Sequence, residues 1–180
     1  MITVSTEINN TFTPPNNNFH PSLNNIPKLS FATHNVRSFT NIAKQHHLLS
    51  LYSSYNIDVI GIQETNFKPQ HNKIFNPSHP SFISFFSANP KQRTAFGVGL
   101  ILNKKIAHHV YKHDTKLDRI IYVDLQFANK QKLRIINCYL PPADLKTRKE
   151  IQQVLNNWIN EATINDFHLI VLGDFNTDMD

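Results

Sequence analysis

Short apolar runs that stop abruptly at a polar group constrain this chain more than any other feature. The clearest is Leu169-Ile170-Val171-Leu172, turned by Gly173 and followed at once by Asp174-Phe175-Asn176. Asp58-Val59-Ile60-Gly61-Ile62 runs in the same way into Gln63-Glu64-Thr65, and Leu29-Ser30-Phe31-Ala32-Thr33 ends at His34-Asn35-Val36-Arg37. Each run has the length of a buried strand, far below the roughly 18 apolar residues of a membrane span. Polar groups at the carboxyl ends of such strands are where α/β proteins commonly place their chemistry.

The stretches between them fit a mixed α/β layering. Ser81–Ser87, Gly97–Asn103 and Arg119–Phe127 read as further strands. A turn at Ala128-Asn129-Lys130 predicts a hairpin onto Lys132–Tyr139, so the sheets are not purely parallel. Residues 40–55 carry Ile42, Leu48, Leu49, Leu51, Tyr52 and Tyr55 at helical spacing. Thr147 with Glu150 reads as a capping box, opening a helix that presents Ile151, Leu155, Trp158, Ile159 and Ala162. Residues 66–80, with three Pro, read as loop. Residues 1–26 hold seven Asn, three Pro and one charged residue, Glu7, without periodicity; the expectation is a disordered Asn-rich leader ahead of a single domain beginning near Lys28.

Charge placement narrows the partners. All 18 Lys and Arg lie between Lys28 and Lys149, a window with six acidic residues and hence a formal charge of +12. A basic segment of that size suits a polyanion, nucleic acid above all, although a soluble basic surface without a partner fits charge alone equally well. The start of the chain has neither the basic residues nor the apolar core of a secretory signal, and a single cysteine, Cys138, lies in an apolar run as a buried thiol. The expected setting is intracellular, nuclear or cytoplasmic, with no membrane partner.

Asn35, Glu64 and the Asp174/Asn176 pair stand at the ends of three apolar strands, and Tyr139 stands near the end of a fourth. Strands packed in one core would bring these groups to one rim. Carboxylates and amide oxygens are ligands for a hard cation such as Mg²⁺, with Mn²⁺ as a substitute. A metal held by one or two carboxylates with open positions is an arrangement for handling phosphate. No His or Cys cluster has zinc spacing, so no cysteine-based metal site is expected. Taken singly, each residue also has a structural reading: Asn35 as a cap, Glu64 as a solvated strand end, Asp174 as a turn former.

Thr33-His34-Asn35-Val36-Arg37-Ser38, Val59-Ile60-Gly61-Ile62-Gln63-Glu64-Thr65, Ile136-Asn137-Cys138-Tyr139-Leu140-Pro141 and Leu172-Gly173-Asp174-Phe175-Asn176 resemble, in order and spacing, the endonuclease/exonuclease/phosphatase superfamily. Asn-Val-Arg-Ser and Gln-Glu-Thr are most similar to the apurinic-type endonuclease domains of non-LTR retrotransposons. The resemblance covers residues 28–180. It implies a two-sheet β-sandwich flanked by helices, DNase I-like, and Mg²⁺-dependent cleavage of a phosphoester. It also implies that Glu64 holds the metal with help from Asn35, and that Asp174 orients or deprotonates the attacking water. Asn176 would then bind the scissile phosphate, and Tyr139 would bond the phosphate or assist the leaving oxygen. Pro142 stands where several relatives carry an Asn that contacts DNA or phosphate.

The family continues past this point to further strands and a Ser-Asp-His motif, whereas this chain ends at Asp180. The expectation is therefore a C-terminally incomplete domain of weak or no activity by itself. The favoured function is a DNA endonuclease of retrotransposon type, with Arg93, Lys104, Lys105, Lys112 and Arg119 as candidate backbone contacts. The alternatives are a phosphoesterase of the same fold acting on inositol phosphates or RNA, and a non-enzymatic remnant.

Overall fold

A computed structural model describes residues 3–5, 28–67, 79–87 and 96–177. It places nine strands in two facing sheets. The first holds β1 (Thr3–Ser5), β2 (Phe31–Asn35), β3 (Val59–Gln63), β4 (Phe82–Phe86) and β5 (Val98–Asn103), in the order β1-β2-β3-β5-β4. The second runs β6-β7-β8-β9, with β6 at Val110–Lys116, β7 at Ile120–Gln126, β8 at Lys132–Tyr139 and β9 at His168–Asp174. Helix α1 (Ile42–Ser54) covers the first sheet, α2 (Lys104–Ala107) follows β5, and α3 (Leu145–Ile164) covers the second. No helix among the described residues is long and apolar enough to cross a membrane.

The layers follow from which strands are apolar on both faces. β3 and β5 are buried along almost their whole length, because one face meets α1 and the other meets the second sheet. Ile60 and Ile62 pack with Leu48, Leu49 and Tyr52 of α1. Val59, Leu100 and Leu102 instead meet Ile121, Val123, Leu133 and Ile135 between the sheets. On the far side, Tyr122, Ile136 and Cys138 pack under Ile151 and Trp158 of α3.

One buried ion pair interrupts that outer apolar layer. Arg134 and Asp124 are each 1% exposed and meet in a two-pronged contact at 2.7 and 2.9 Å. The remaining Arg134 nitrogen donates to the Trp158 carbonyl at 3.0 Å and to Glu161 at 3.1 Å. Burial alone would lower its pKa, but these acceptors hold the guanidinium firmly charged.

The expected sandwich is present, with local differences. Thr3–Ser5, inside the Asn-rich leader, pair antiparallel with β2, while the rest of residues 1–26 lies outside the described residues. Strand β6 was not foreseen: its side chains are mostly exposed or half-exposed, so it shows little apolar alternation. The helix α3 is capped by Asp144, three residues earlier than the Thr147 capping box suggests. Asp144 accepts from the Thr147 backbone N–H at 3.0 Å, making Thr147 part of the first turn. In α1, capped by Asn41, Ile42 and Tyr55 fall at the ends and are 55% and 67% exposed, so the buried face is Leu48, Leu49 and Tyr52.

Candidate active site

Each sheet contains one parallel pair, β2 with β3 and β8 with β9. The two pairs stack with their carboxyl ends at the same rim. Backbone pairing between the β2 and β3 chains continues beyond the strands: Val36 N–H reaches Gln63 O at 3.0 Å, Ser38 N–H reaches Glu64 O at 2.6 Å and Phe39 N–H reaches Thr65 O at 2.8 Å. That extension is built on left-handed backbone at Arg37, Ser38 and Glu64, with φ of 44°, 90° and 55°. Non-glycine residues in that region are uncommon and cluster at functional sites.

In the second sheet, Tyr139 lies opposite Asp174 in the parallel ladder. Gly173 allows this register, since a Cβ there would sit 2.3 Å from the Cys138 carbonyl oxygen. The Leu140 N–H donates to Asp174 O at 2.9 Å. Asn176, at φ 43°, closes the turn by donating its backbone N–H to Asp174 Oδ1 at 3.2 Å and its carboxamide to Leu140 O at 2.9 Å.

The two rims meet at Asn35. Its carboxamide nitrogen donates to Glu64 Oε1 at 2.9 Å and to Asp174 Oδ2 at 2.9 Å, so one amide joins carboxylates from both sheets. Its Oδ1 accepts from the Arg37 N–H at 3.1 Å. Tyr139 completes the cluster beside Glu64. Burial, together with the charge of Glu64, pushes its phenol up to about 12, so it remains a neutral donor. The Arg119 guanidinium lies 5.1 Å from the Tyr139 ring centre. Cys138, buried beside Asp174, has its thiol pushed up to about 12 by burial first. It is an inert packing group.

A groove of about 1110 Å³ opens beside this cluster, lined by His34, Asn35, Arg37, Lys44, Asp174 and Asn176, whereas Glu64 and Tyr139 are not part of its lining. Pro142 lies on its wall. The Lys44 ammonium donates to the Val36 carbonyl, and Arg148 donates to the Asn176 carbonyl at 3.4 Å. His34 hydrogen-bonds the Tyr52 hydroxyl at 2.7 Å, and burial, reinforced by Lys44, holds its pKa below the usual imidazole range.

All five uncharged or acidic candidates from the sequence, Asn35, Glu64, Tyr139, Asp174 and Asn176, thus share one rim. The basic candidates divide. Arg119 reaches the site, and Arg93 lies outside the described residues. Lys104 and Lys105 stand at the opposite end of the first sheet, beyond the Val59–Leu102 pairing and beside Asp58. Lys112 turns to the outer face, 3.5 Å from Glu161 and over the Tyr122 ring. Arg37 and Lys44, which line the groove, and Arg148, which donates to the Asn176 carbonyl, are not among the sequence candidates. Arg37 lies inside the Asn-Val-Arg-Ser motif, whereas Lys44 and Arg148 are brought there by helix packing that no local pattern reveals.

Among the described residues, no three His, Cys, Asp or Glu side chains gather into a metal-binding group. The Glu64 and Asp174 carboxylates nevertheless suit Mg²⁺, which is usually held by one or two carboxylates and otherwise by water and substrate phosphate. Asn35 presents its amide nitrogen to them and its oxygen to the Arg37 N–H, so it would join as a ligand only with its carboxamide turned over.

Residues 32–180 match the model of the Endonuclease/Exonuclease/phosphatase family, and the chain belongs to that family. No curated protein sequence matches it significantly. Among solved structures it is similar to TDP2 of D. rerio complexed with a single-strand DNA product, with a TM-score of 0.63, 21% identity, and 83% of this chain covering 61% of that one. The mannosyl-6-phosphatase Bt3783 of Bacteroides thetaiotaomicron gives a TM-score of 0.60 at 14% identity, over 84% of this chain and 67% of that one. An AP endonuclease of Archaeoglobus fulgidus gives 0.55 at 18% identity, over 83% and 58%. The chain therefore spans about three fifths of the length of TDP2 and of the AP endonuclease.

Proposed function

We propose that this rim is the catalytic centre of a Mg²⁺-dependent phosphodiesterase acting on DNA, of the retrotransposon endonuclease kind. The observation that carries this reading is the Asn35 carboxamide, which gathers Glu64 and Asp174 from separate sheets at 2.9 Å each, at the edge of a groove bordered by Arg37 and Lys44. Two carboxylates and a fixed amide without a nucleophilic side chain suit attack by water at phosphorus. Family members are generally metal-dependent. A divalent cation held by Glu64, with the Asn35 carboxamide turned to present its oxygen, would supply charge neutralisation at the phosphate, with Mn²⁺ as a substitute.

The protein's own groups have distinct tasks in this reading. Asp174 orients the water and accepts its proton. Asn176 and Tyr139 donate hydrogen bonds to the phosphate oxygens, and the Tyr139 phenol, protonated at neutral pH, gives its proton toward the leaving oxygen. Arg37 and Lys44 on one side, and Arg119 and Arg148 on the other, offer charge to phosphates flanking the scissile one. A bound DNA product in one structural neighbour supports a nucleic-acid substrate.

The second reading, a phosphoesterase for inositol phosphates or RNA, is favoured by the sugar phosphatase among the neighbours. The full-length polypeptide carrying these residues, assayed with Mg²⁺ on supercoiled plasmid, single-stranded RNA and inositol polyphosphate, separates the two. Plasmid nicking as the dominant turnover is expected; faster turnover of RNA or the inositol ester would replace the DNA assignment.

A further inference from the structure

Gly61 sits in the middle of β3, where glycine ordinarily weakens a strand. Its missing side chain is occupied from the other sheet: a Cβ at Gly61 would lie 2.8 Å from Asn137 Oδ1. Asn137 is 0% exposed and lies between Ile135 and Tyr139 of β8, both members of the apolar core between the sheets. An amide in such a place is costly unless it is fully bonded, and here it is. Its nitrogen donates to Ile62 O at 2.9 Å and Gly99 O at 2.8 Å, on two adjacent strands of the first sheet. Its oxygen accepts from Gln63 Nε2 at 2.6 Å, and Gln63 donates again to Thr33 Oγ1 at 3.0 Å.

Each member lies one or two residues behind a group at the rim. Thr33 precedes Asn35 on β2, Gln63 precedes Glu64 on β3 and Asn137 precedes Tyr139 on β8. Leu172, the ladder partner of Asn137, precedes Asp174 on β9. Apolar contacts between sheets are not directional and permit small slips, whereas this set of hydrogen bonds fixes position and angle together.

We propose that Asn137 and Gln63 are positioning residues that set the spacing of the two sheets at the rim. They keep Glu64 and Asp174 at the separation that one Asn35 carboxamide spans. The catalytic part of this inference rests on the phosphodiesterase reading of the rim; the geometric part does not.

The decisive variant is the double replacement Asn137→Leu with Gln63→Leu. Replacing both side chains by apolar groups removes their mutual hydrogen bond without stranding either amide; the Ile62 and Gly99 carbonyls and the Thr33 hydroxyl lose a donor, so circular dichroism first checks that the variant is folded. Three readouts on the full chain follow. The first is the pair of Asn35 carboxamide proton signals in a nitrogen-resolved NMR spectrum, assigned by their loss in Asn35→Ser. The second is Mn²⁺ affinity by calorimetry, and the third is the division of any cleavage defect between kcat and KM. The double variant should lose the slow-exchanging Asn35 signals, bind Mn²⁺ roughly 10–100-fold more weakly and lose kcat with KM little changed. Retention of the Asn35 signals and of wild-type Mn²⁺ affinity in a folded double variant overturns the inference. If the double variant is not recovered, Gln63→Met removes both donors at similar length and is read by the same criteria. A wild-type protein that shows the Asn35 signals but neither binds Mn²⁺ nor cleaves refutes the phosphodiesterase reading, and the Asn35 signals of the variants still decide the positioning role.

Discussion

Asn35 and Tyr139 determine what the two carboxylates can do. Without the Asn35 bridge, Glu64 and Asp174 would face each other as like charges with no shared donor. Tyr139 stands beside Glu64, and its high phenol pKa has a consequence for pH dependence. A group raised to about 12 stays protonated, and able to donate, throughout the range where most enzymes are assayed. Tyr139→Phe should lower kcat by roughly 10²-fold, within the usual contribution of a general acid. The wild-type pH–rate profile should show no alkaline fall from this group below about pH 11. Equal kcat for wild type and Tyr139→Phe would remove Tyr139 from the proton-transfer step. The polar identities of these residues were legible in the sequence because each closes an apolar run. Their mutual hydrogen bonds were not, since Asn35 and Asp174 are 139 residues apart along the chain.

Among the elements, α3 shows how the chain fixes a helix by an apolar stripe and one cation together. Ile151, Trp158 and Ala162 are buried, Val154, Leu155 and Ile159 pack half-buried beside them, and Arg134 of β8 reaches up to the Trp158 carbonyl and Glu161 to secure the far half. The guanidinium also lies 4.2 Å from the Tyr122 ring centre. Arg134→Met would leave the Asp124 carboxylate buried and unpaired, a loss of about 3–5 kcal/mol for this kind of broken pair. Urea unfolding of the variant should show that loss; a change under about 1 kcal/mol would mean that Asp124 finds water or another donor. The sequence concealed this pair for a physical reason. Asp124 and Arg134 occupy outward positions of alternating strands, where charged residues normally face solvent, and only the covering helix turns them into a buried contact. β6 escaped notice for the opposite reason, being an edge strand with little buried surface to impose a pattern.

At the scale of the whole molecule, the site exists because two parallel strand pairs, one in each sheet, end together. Apolar runs closing on polar groups reveal that such strands exist and which residues they deliver. They do not reveal that β9 joins β8 rather than β2, or that Lys104 and Lys105 fall at the far end of the first sheet. Those placements depend on strand order, which is fixed by packing across the full chain. The order also accounts for the division of cations, with Arg37, Lys44, Arg119 and Arg148 around the rim and Lys112 half-exposed on the outer face beside Glu161 of α3. The most direct measurement is Mg²⁺-dependent nicking of supercoiled plasmid by the full-length polypeptide, in wild type and in the near-isosteric variants Glu64→Gln and Asp174→Asn. The predicted result is nicking that chelation of Mg²⁺ stops and that both variants lose by roughly 10²-fold or more. Nicking that persists in either purified variant, or that survives chelation, would contradict the assignment of this rim as the catalytic centre.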